Sequence, residues 1–392
     1  MLDAKPDPIT VITTTQGLAD VCAQMARAPF VAVDTEFMRE TTFWPNLCLI
    51  QIATPGLAAA VDPLARDISL KPFFDLMANT QVTKVFHAAR QDIEIVYNLA
   101  RIIPAPLFDT QVAAMVCGFG ESVSYSALVK QLTGKNHDKT SRFTDWAHRP
   151  LSSAQLHYAI GDVTHLRDVY LKLVDRLAVA GRARWVDDEM ALLENPATYE
   201  TQPEDAWRRL KVRVRTPQAM AIVMEVAAWR ETQAQKQNVP RSRIIKDEAI
   251  YDLAAQAPKT VEELGRLRSF KDGAARAQRG RELVDVVVQA LKRDPSTIPP
   301  LSQTAPLPPA AAAVADLLRV LLKAIAAKSD VAPKLIATSD DLEQIALGRD
   351  DSSILALQGW RRELFGEAAL ALKAGKLALT MKDGEVVAAP LE

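Results

Sequence analysis

The sequence predicts an α/β domain built on a mixed sheet, followed by two all-α modules. Three patterns predict it. Short apolar and β-branched runs crowd the first sixty residues, strand and helix then alternate up to about residue 110, and beyond that only helical periodicity remains. Prolines cut the helical remainder twice, at 196–217 and at 294–309.

Taken in order, residues 9–14, 30–37, 47–53 and 57–61 read as successive strands. Their spacing looks too tight for crossover helices, which predicts an antiparallel meander. Residues 70–79 read as a helix, 83–87 as a short apolar strand and 90–100 as a helix, so the sheet is expected to continue with parallel pairing. Residues 110–195 are mainly helical. The boundaries that follow are a first domain over 1–196, a linker over 197–216, a helical domain over 217–293, a stiff Pro-rich linker over 294–309, a second helical domain over 310–380 and a tail over 381–392. In the first helical domain Met224, Val226, Ala227, Ala228 and Trp229 form an apolar stripe. No close repeat period relates the two helical clusters.

Composition narrows the function classes. With 392 residues and 48% hydrophobic content, the chain is long enough for two or three packed cores. The formal charge of −1 conceals an asymmetry: residues 207–293 hold 19 Lys and Arg against 10 Asp and Glu, and the remainder carries −10. A local +9 is suited to a phosphate backbone. Residues 1–7 lack the pattern of a signal peptide, and the apolar stretch 310–327 is interrupted by Asp316, Arg319 and Lys323, so no membrane association is expected. Three isolated cysteines, Cys22, Cys48 and Cys117, point to reduced thiols and a cytoplasmic setting. No Cys/His spacing suggests zinc, and no P-loop occurs.

Three segments carry the chemistry: Val31-Ala-Val-Asp34-Thr-Glu36-Phe37, His87-Ala-Ala-Arg-Gln-Asp92 and His157-Tyr158-Ala-Ile-Gly-Asp162. On a strand Asp34 and Glu36 share one face, with Val33, Thr35 and Phe37 on the other. On a helix Tyr158 and Asp162 stack one turn apart. Apolar flanks imply that the strand is buried, and buried carboxylates need a compensating charge. Two strand carboxylates with one from each of two helices can converge on a pair of divalent cations. Magnesium or manganese suits such an oxygen-only set, and paired cations suit in-line phosphoryl displacement.

Together these segments resemble the three exonuclease motifs of the DEDD superfamily, in its tyrosine-bearing branch. The connecting sequence narrows the resemblance to the ribonuclease D family: Val33-Asp-Thr-Glu-Phe-Met-Arg39, Phe43-Trp-Pro45, Leu49-Ile-Gln-Ile52, Phe86-His-Ala-Ala-Arg-Gln-Asp92, Phe108-Asp-Thr-Gln111, Thr144-Asp-Trp146 and Arg149-Pro-Leu151. It runs over most of residues 9–380. Both helical clusters resemble HRDC domains, the first through Trp229-Arg-Glu231, Pro240-Arg241 and Ile245-Lys-Asp-Glu248, the second more faintly through Leu335-Ile-Ala-Thr-Ser-Asp340 and Gly359-Trp-Arg-Arg-Glu-Leu-Phe-Gly366.

The resemblance implies a ribonuclease H-like fold for the first domain and a 3′→5′ exoribonuclease that releases nucleoside 5′-monophosphates using two divalent cations, Mg²⁺ or Mn²⁺. Its implied substrates are tRNA precursors and other RNA 3′ ends, and no obligate protein partner is evident. Asp34, Glu36, Asp92 and Asp162 are the implied metal ligands, and Tyr158 orients the attacking water. Lys139, Arg142, Trp146 and Arg241 are expected to contact RNA, with Trp146 stacking on a base. Phe37 and Met38 are candidates to pack against the terminal nucleotide. His87 and Arg90 receive no catalytic role. Two rival readings compete: a DNA-directed exonuclease with the same ligands, and a non-catalytic RNA-binding protein on the same fold. The trailing helical modules, without helicase or polymerase motifs, favour RNA, and the full set of five catalytic positions favours an enzyme.

Overall fold

The computed structural model describes residues 11–121, 123–138, 140–200, 202–211, 214–270, 277–299 and 307–391. Its principal sheet has six strands: β1 (Val11–Ile12), β2 (Phe30–Met38), β3 (Asn46–Thr54), β4 (Leu57–Val61), β5 (Thr83–Phe86) and β6 (Leu107–Asp109). The order across the sheet is β1-β4-β3-β2-β5-β6, which puts β2 near the middle. β3 and β4 pair antiparallel, with Ile52 opposite Ala59. β1 pairs parallel with β4, and β5 pairs parallel with both β2 and β6. The sheet is therefore mixed, as the alternation of elements predicts.

The opening departs from the expected meander. Between β1 and β2 lies helix α1 (Thr15–Met25), where the sequence reading left no room for one. Thr14 caps it by accepting from the Gly17 N–H, and Leu18, Val21, Cys22 and Met25 bury one face at helical spacing. Residues 9–10 of the expected first strand lie outside the described residues. Helices α2 (Lys71–Ala78) and α3 (Arg90–Ala100) fall where periodicity puts them. Then come α4 (Thr110–Val116), α5 (Tyr125–Thr133), α6 (Ser153–Ala180) and α7 (Ala183–Leu193). The 28-residue α6 begins in a capping box, Ser152 and Gln155 each satisfying the other's backbone. Buried Phe30, Ala32, Ala53 and Val85 of the sheet pack with Val163 and Leu166 of α6.

The chain divides into two compact units. One comprises residues up to Glu36, Cys48–Thr198 and Pro306 onward; the other comprises Phe37–Leu47 and Tyr199–Ala305. The second unit is helical: α8 (Pro217–Gln237), α9 (Arg241–Ile244), α10 (Asp247–Gln256), α11 (Val261–Arg266) and α12 (Gln278–Ala290). Ile222, Val223, Val226, Ile250, Leu253, Leu264, Leu283 and Val287 form its core. The β2–β3 loop packs into this unit, because Asn238 Oδ1 accepts the backbone N–H groups of Phe43 (3.2 Å) and Trp44 (3.0 Å). The motif Phe43-Trp-Pro45 thus finds its partner in Asn238-Val-Pro-Arg241.

Arg241 belongs to the same structure. Its Nε and Nη2 both donate to Glu231 at 2.5 Å, and its guanidinium lies 4.6 Å over the Phe43 ring. Glu231 is fully buried and also accepts from Arg209 at 3.2 Å. Removing that charge leaves two guanidinium groups without their carboxylate, so Glu231→Gln should destabilise the fold by about 3 kcal/mol. A thermal midpoint equal to that of the parent would show that the pairing is energetically indifferent.

The C-terminal helices belong to the first unit: α13 (Pro309–Ser329), α14 (Pro333–Ile336), α15 (Ser339–Ala346), α16 (Gly359–Arg361), a π-helical turn (Arg362–Gly366) and α17 (Glu367–Lys373). Trp360 stacks on Trp185 of α7 with centroids 4.4 Å apart and planes at 9°. Buried Arg361 pairs with Glu189 of α7, and Arg182 donates to the carbonyls of Val116, Ser329 and Asp330. A β-hairpin of β7 (Leu377–Lys382) and β8 (Glu385–Pro390) follows, across the boundary where the sequence reading begins a tail.

The two helical clusters do share a period, contrary to expectation, and it lies in the backbone. The opening features recur 92 residues on: Pro217 to Pro309 at the start of a 21-residue helix, and left-handed Asn238 to left-handed Asp330 at its end. Next come Arg241–Ile244 to Pro333–Ile336, then extended Ile245 to extended Ala337. Buried Ile250 and Leu253 correspond to buried Leu342 and Ile345.

Candidate active site

β2 places Asp34 and Glu36 on one side of the strand, as period 2 requires. α6 brings Tyr158 and Asp162 to the same place, one turn apart. Ligand atoms of Asp34, Glu36 and Asp162 all lie within 4.8 Å of one another. Among the described residues this is the group of acidic, His or Cys side chains arranged to hold a cation.

Asp92, in the first turn of α3, reaches the neighbourhood from another direction. Its Oδ1 accepts the Thr35 hydroxyl at 2.5 Å, and its carboxylate raises the proton affinity of Glu36. The N-terminus of α3 is held by Asp109, whose carboxylate accepts from Ala88 N–H (3.0 Å) and Ala89 N–H (2.8 Å). That explains the motif Phe108-Asp-Thr-Gln111: Asp109 ends β6, caps α4 and fixes the helix that carries Asp92.

The electrostatics of the cluster are unfavourable without a cation. Burial pushes the Asp34 carboxyl up to about 7. Burial, then the charges of Asp34, Asp162 and Asp92, push Glu36 up to about 10. Burial and then Asp34 push Asp162 up to about 9, while burial and Asp34 hold Asp92 well above its ordinary range. Arg142 opposes this at Glu36 and Asp162 without overcoming it. Burial first, then Asp162, Glu36 and Asp34, raise the Tyr158 phenol above its ordinary value. An oxygen-only set under mutual repulsion in a partly dry site fits a hard divalent cation.

A cavity of about 350 Å³ adjoins these carboxylates. Arg142, His87, Tyr125 and His137 line it together with Asp34, Tyr158 and Asp162. Arg142, a candidate RNA contact, thus lines the cavity. Lys139 lies outside the described residues. Trp146 is not a stacking surface: it is 2% exposed, with its ring centroid 6.0 Å from that of Tyr158, and it packs beneath the site. Arg149 holds that corner by donating to the carbonyls of Trp146 (2.7 Å) and Cys48 (2.6 Å) and to Asp62 (2.7 Å). Gln155 of the α6 capping box donates to Thr144 and to the Asp145 carbonyl. The motifs Thr144-Asp-Trp146 and Arg149-Pro-Leu151 therefore brace the site from outside it. Arg241 is likewise a packing and ion-pair residue, since Glu231 and Phe43 engage its guanidinium.

Three neighbours of the site escape sequence reasoning. His137 Nε2 lies 3.1 Å from Asp162 Oδ1, the Tyr125 hydroxyl donates to the Asp162 carbonyl at 2.5 Å, and Thr35 holds Asp92. Only Thr35 carries a signal, as the hydroxyl residue between two strand acids; the others arrive through tertiary packing.

Comparison with known proteins identifies the family. A family model described as 3'-5' exonuclease matches residues 9–178, and an HRDC-domain model matches residues 219–287. A ribonuclease D from Nitrobacter hamburgensis is 55% identical over 377 residues, covering 96% of this chain and 98% of that protein. The chain belongs to the ribonuclease D family. A second member, from Bartonella henselae, is 48% identical and spans 96% of this chain and 93% of its own. The crystal structure of Escherichia coli RNase D, described as an exoribonuclease involved in structured RNA processing, superposes with a TM-score of 0.82 at 28% identity, covering 93% of this chain and 99% of that one. As a member of this family the chain is a 3′→5′ exoribonuclease, with an α/β exonuclease domain and a helical HRDC region. Among the described residues no helix is long and apolar enough to cross a membrane.

Proposed function

We propose that this enzyme trims the 3′ ends of tRNA precursors and other structured RNAs in the cytoplasm, releasing nucleoside 5′-monophosphates with the help of two Mg²⁺ or Mn²⁺ ions. The observation that carries the proposal is the convergence of Asp34, Glu36 and Asp162 beside Tyr158, with Asp92 approaching from α3. Asp34, Glu36 and Asp162 would hold one ion, and Asp34 with Asp92 the other. When bound, such ions activate water and neutralise charge on the phosphate and the leaving 3′ oxygen.

The remaining work falls to the protein. Tyr158 keeps its proton at neutral pH and is hydrogen-bonded to Asp162, so its hydroxyl is held where it can orient the attacking water. Arg142 faces the same cavity and is suited to the phosphate. The proposal extends to residues 310–380 as a second HRDC-like module, supported by the 92-residue backbone repeat. The basic stretch 207–293 is the proposed grip on the RNA body, although several of its arginines are occupied by Glu231, Asp247 and Glu225. The deciding assay offers the purified protein 3′-extended tRNA and matched single-stranded DNA, with Mg²⁺, with Mn²⁺ and with chelator. Metal-dependent release of 5′-monophosphates from the RNA is expected, and faster digestion of the DNA would reassign the substrate.

Cation binding should also register as stability. Carboxyls whose proton affinity rises on folding make the metal-free fold lose stability as pH climbs from about 4 through the raised values of about 7 to 10. A divalent cation replaces those protons, so its benefit grows with pH. At a fixed Mn²⁺ concentration a hundredfold above the Kd at pH 8, Tm should rise by about 3–6 °C at pH 8 and by less at pH 6. A larger gain at pH 6 would contradict the assigned ligands.

A further inference from the structure

The segment between α5 and α6 presents an aromatic ring to solvent beside the catalytic cavity. Phe143 is 90% exposed, and the Arg142 guanidinium lies 5.1 Å from its ring centroid. Arg142 itself lines the cavity with Asp34, Tyr158 and Asp162. The backbone on either side is anchored: Thr144 Oγ1 donates to the Ser141 carbonyl at 2.8 Å, and Gln155 donates to Thr144 Oγ1 at 3.0 Å. A phenylalanine so placed forgoes the favourable burial that its neighbour Trp146 has, and the Arg142 guanidinium lies over its ring.

From this arrangement we infer that Phe143 is a stacking shelf for the base next to the 3′-terminal nucleotide of single-stranded RNA, with Arg142 contacting the phosphate between the two nucleotides. The inference rests on the exonuclease reading of the cavity and adds a residue that reading does not include. A ring with a cation on its face matches the alternation of base and phosphate along a strand. The cation also adjoins a carboxylate cluster, which orders the strand: terminal phosphodiester at the acids, next base outward at the ring. Stacking of this kind accepts any base, so the shelf would give affinity without sequence preference.

The test uses the full-length protein and two substrates. One is a single-stranded oligoribonucleotide with 2-aminopurine as its penultimate base; the other is the p-nitrophenyl ester of uridine 5′-monophosphate, which has no second base. Phe143→Ala should raise KM for the oligonucleotide about 10-fold with kcat nearly unchanged, and leave hydrolysis of the ester as it was. Phe143→Trp should restore KM, and Phe143→Leu should not. In chelator, 2-aminopurine fluorescence should be quenched by the parent and by Phe143→Trp but not by Phe143→Ala. Arg142→Gln should flatten the salt dependence of oligonucleotide binding by about 0.7, one contact on a single strand. An unchanged KM in Phe143→Ala, rescue by leucine as full as by tryptophan, or an equal loss on the ester would each overturn the shelf. A parent protein inert on both substrates with either metal would instead overturn the reading beneath it, and the shelf with it.

Discussion

Asp34→Asn or Asp162→Asn should abolish hydrolysis while RNA binding survives. Each change removes a charged ligand from a group whose oxygens lie within 4.8 Å of one another. A bound cation supplies several kcal/mol to the transition state, so at about 1.4 kcal/mol per decade the rate should fall at least about 10³-fold. The substitution should not harm the fold, because it relieves repulsion. Burial already pushes the Asp34 carboxyl up to about 7, burial and then Asp34 push Asp162 up to about 9, and a neutral amide satisfies the same pocket without charge. Metal-free Asp34→Asn should therefore melt no lower than the parent at pH 8, and titration with Mn²⁺ should give a smaller rise in Tm. Parent-like turnover in a folded Asp34→Asn protein would remove the metal-dependent reading altogether.

Tyr158→Phe should slow turnover by about 10²-fold while leaving cation affinity within a few-fold of the parent. The ring keeps its neighbours, with Trp146 at 6.0 Å and His137 at 5.7 Å between centroids, so packing is retained. What disappears is one hydroxyl, hydrogen-bonded to Asp162 and protonated throughout the neutral range. Calorimetric titration with Mn²⁺ beside steady-state assays separates the possibilities. Collapse of cation binding with normal turnover per bound ion would make Tyr158 a structural support for Asp162.

The candidate catalytic positions were legible because two short periods decide them. A strand forces Asp34 and Glu36 to one side, and a helix forces Tyr158 over Asp162, whatever the rest of the chain does. Asp92 was legible as a first-turn acid, but not its anchoring, since Asp109 reaches the start of α3 from a different strand. The aromatic pair in the 139–146 stretch shows where such reading fails. The sequence reading takes Trp146 as the base stacker and passes over Phe143; Arg149, paired with Asp62, gathers the Trp146 carbonyl inward, and Phe143 is the ring left exposed. α1 was missed because its threonine cap resembles the end of a strand. The 92-residue repeat was missed because its partners differ chemically, Glu231 facing Lys323 in register and Arg241 facing Pro333. The backbone and a few buried apolar positions preserve it.

The hold of Asn238 on Phe43 and Trp44 has a consequence for how the protein is made. The acceptor lies 194 residues beyond Trp44 in the chain. At the usual elongation rates of about 5–20 residues per second, the loop leaves the ribosome roughly 10 to 40 s before its partner does. During that interval every strand of the six-stranded sheet can form, yet the aromatic pair joining its two central members lacks the cover that Ala234 and Ile244 later provide. The nascent chain thus passes through a stage in which a finished sheet displays a sticky loop. A release of the chain at the end of the exonuclease domain would make that passing stage permanent.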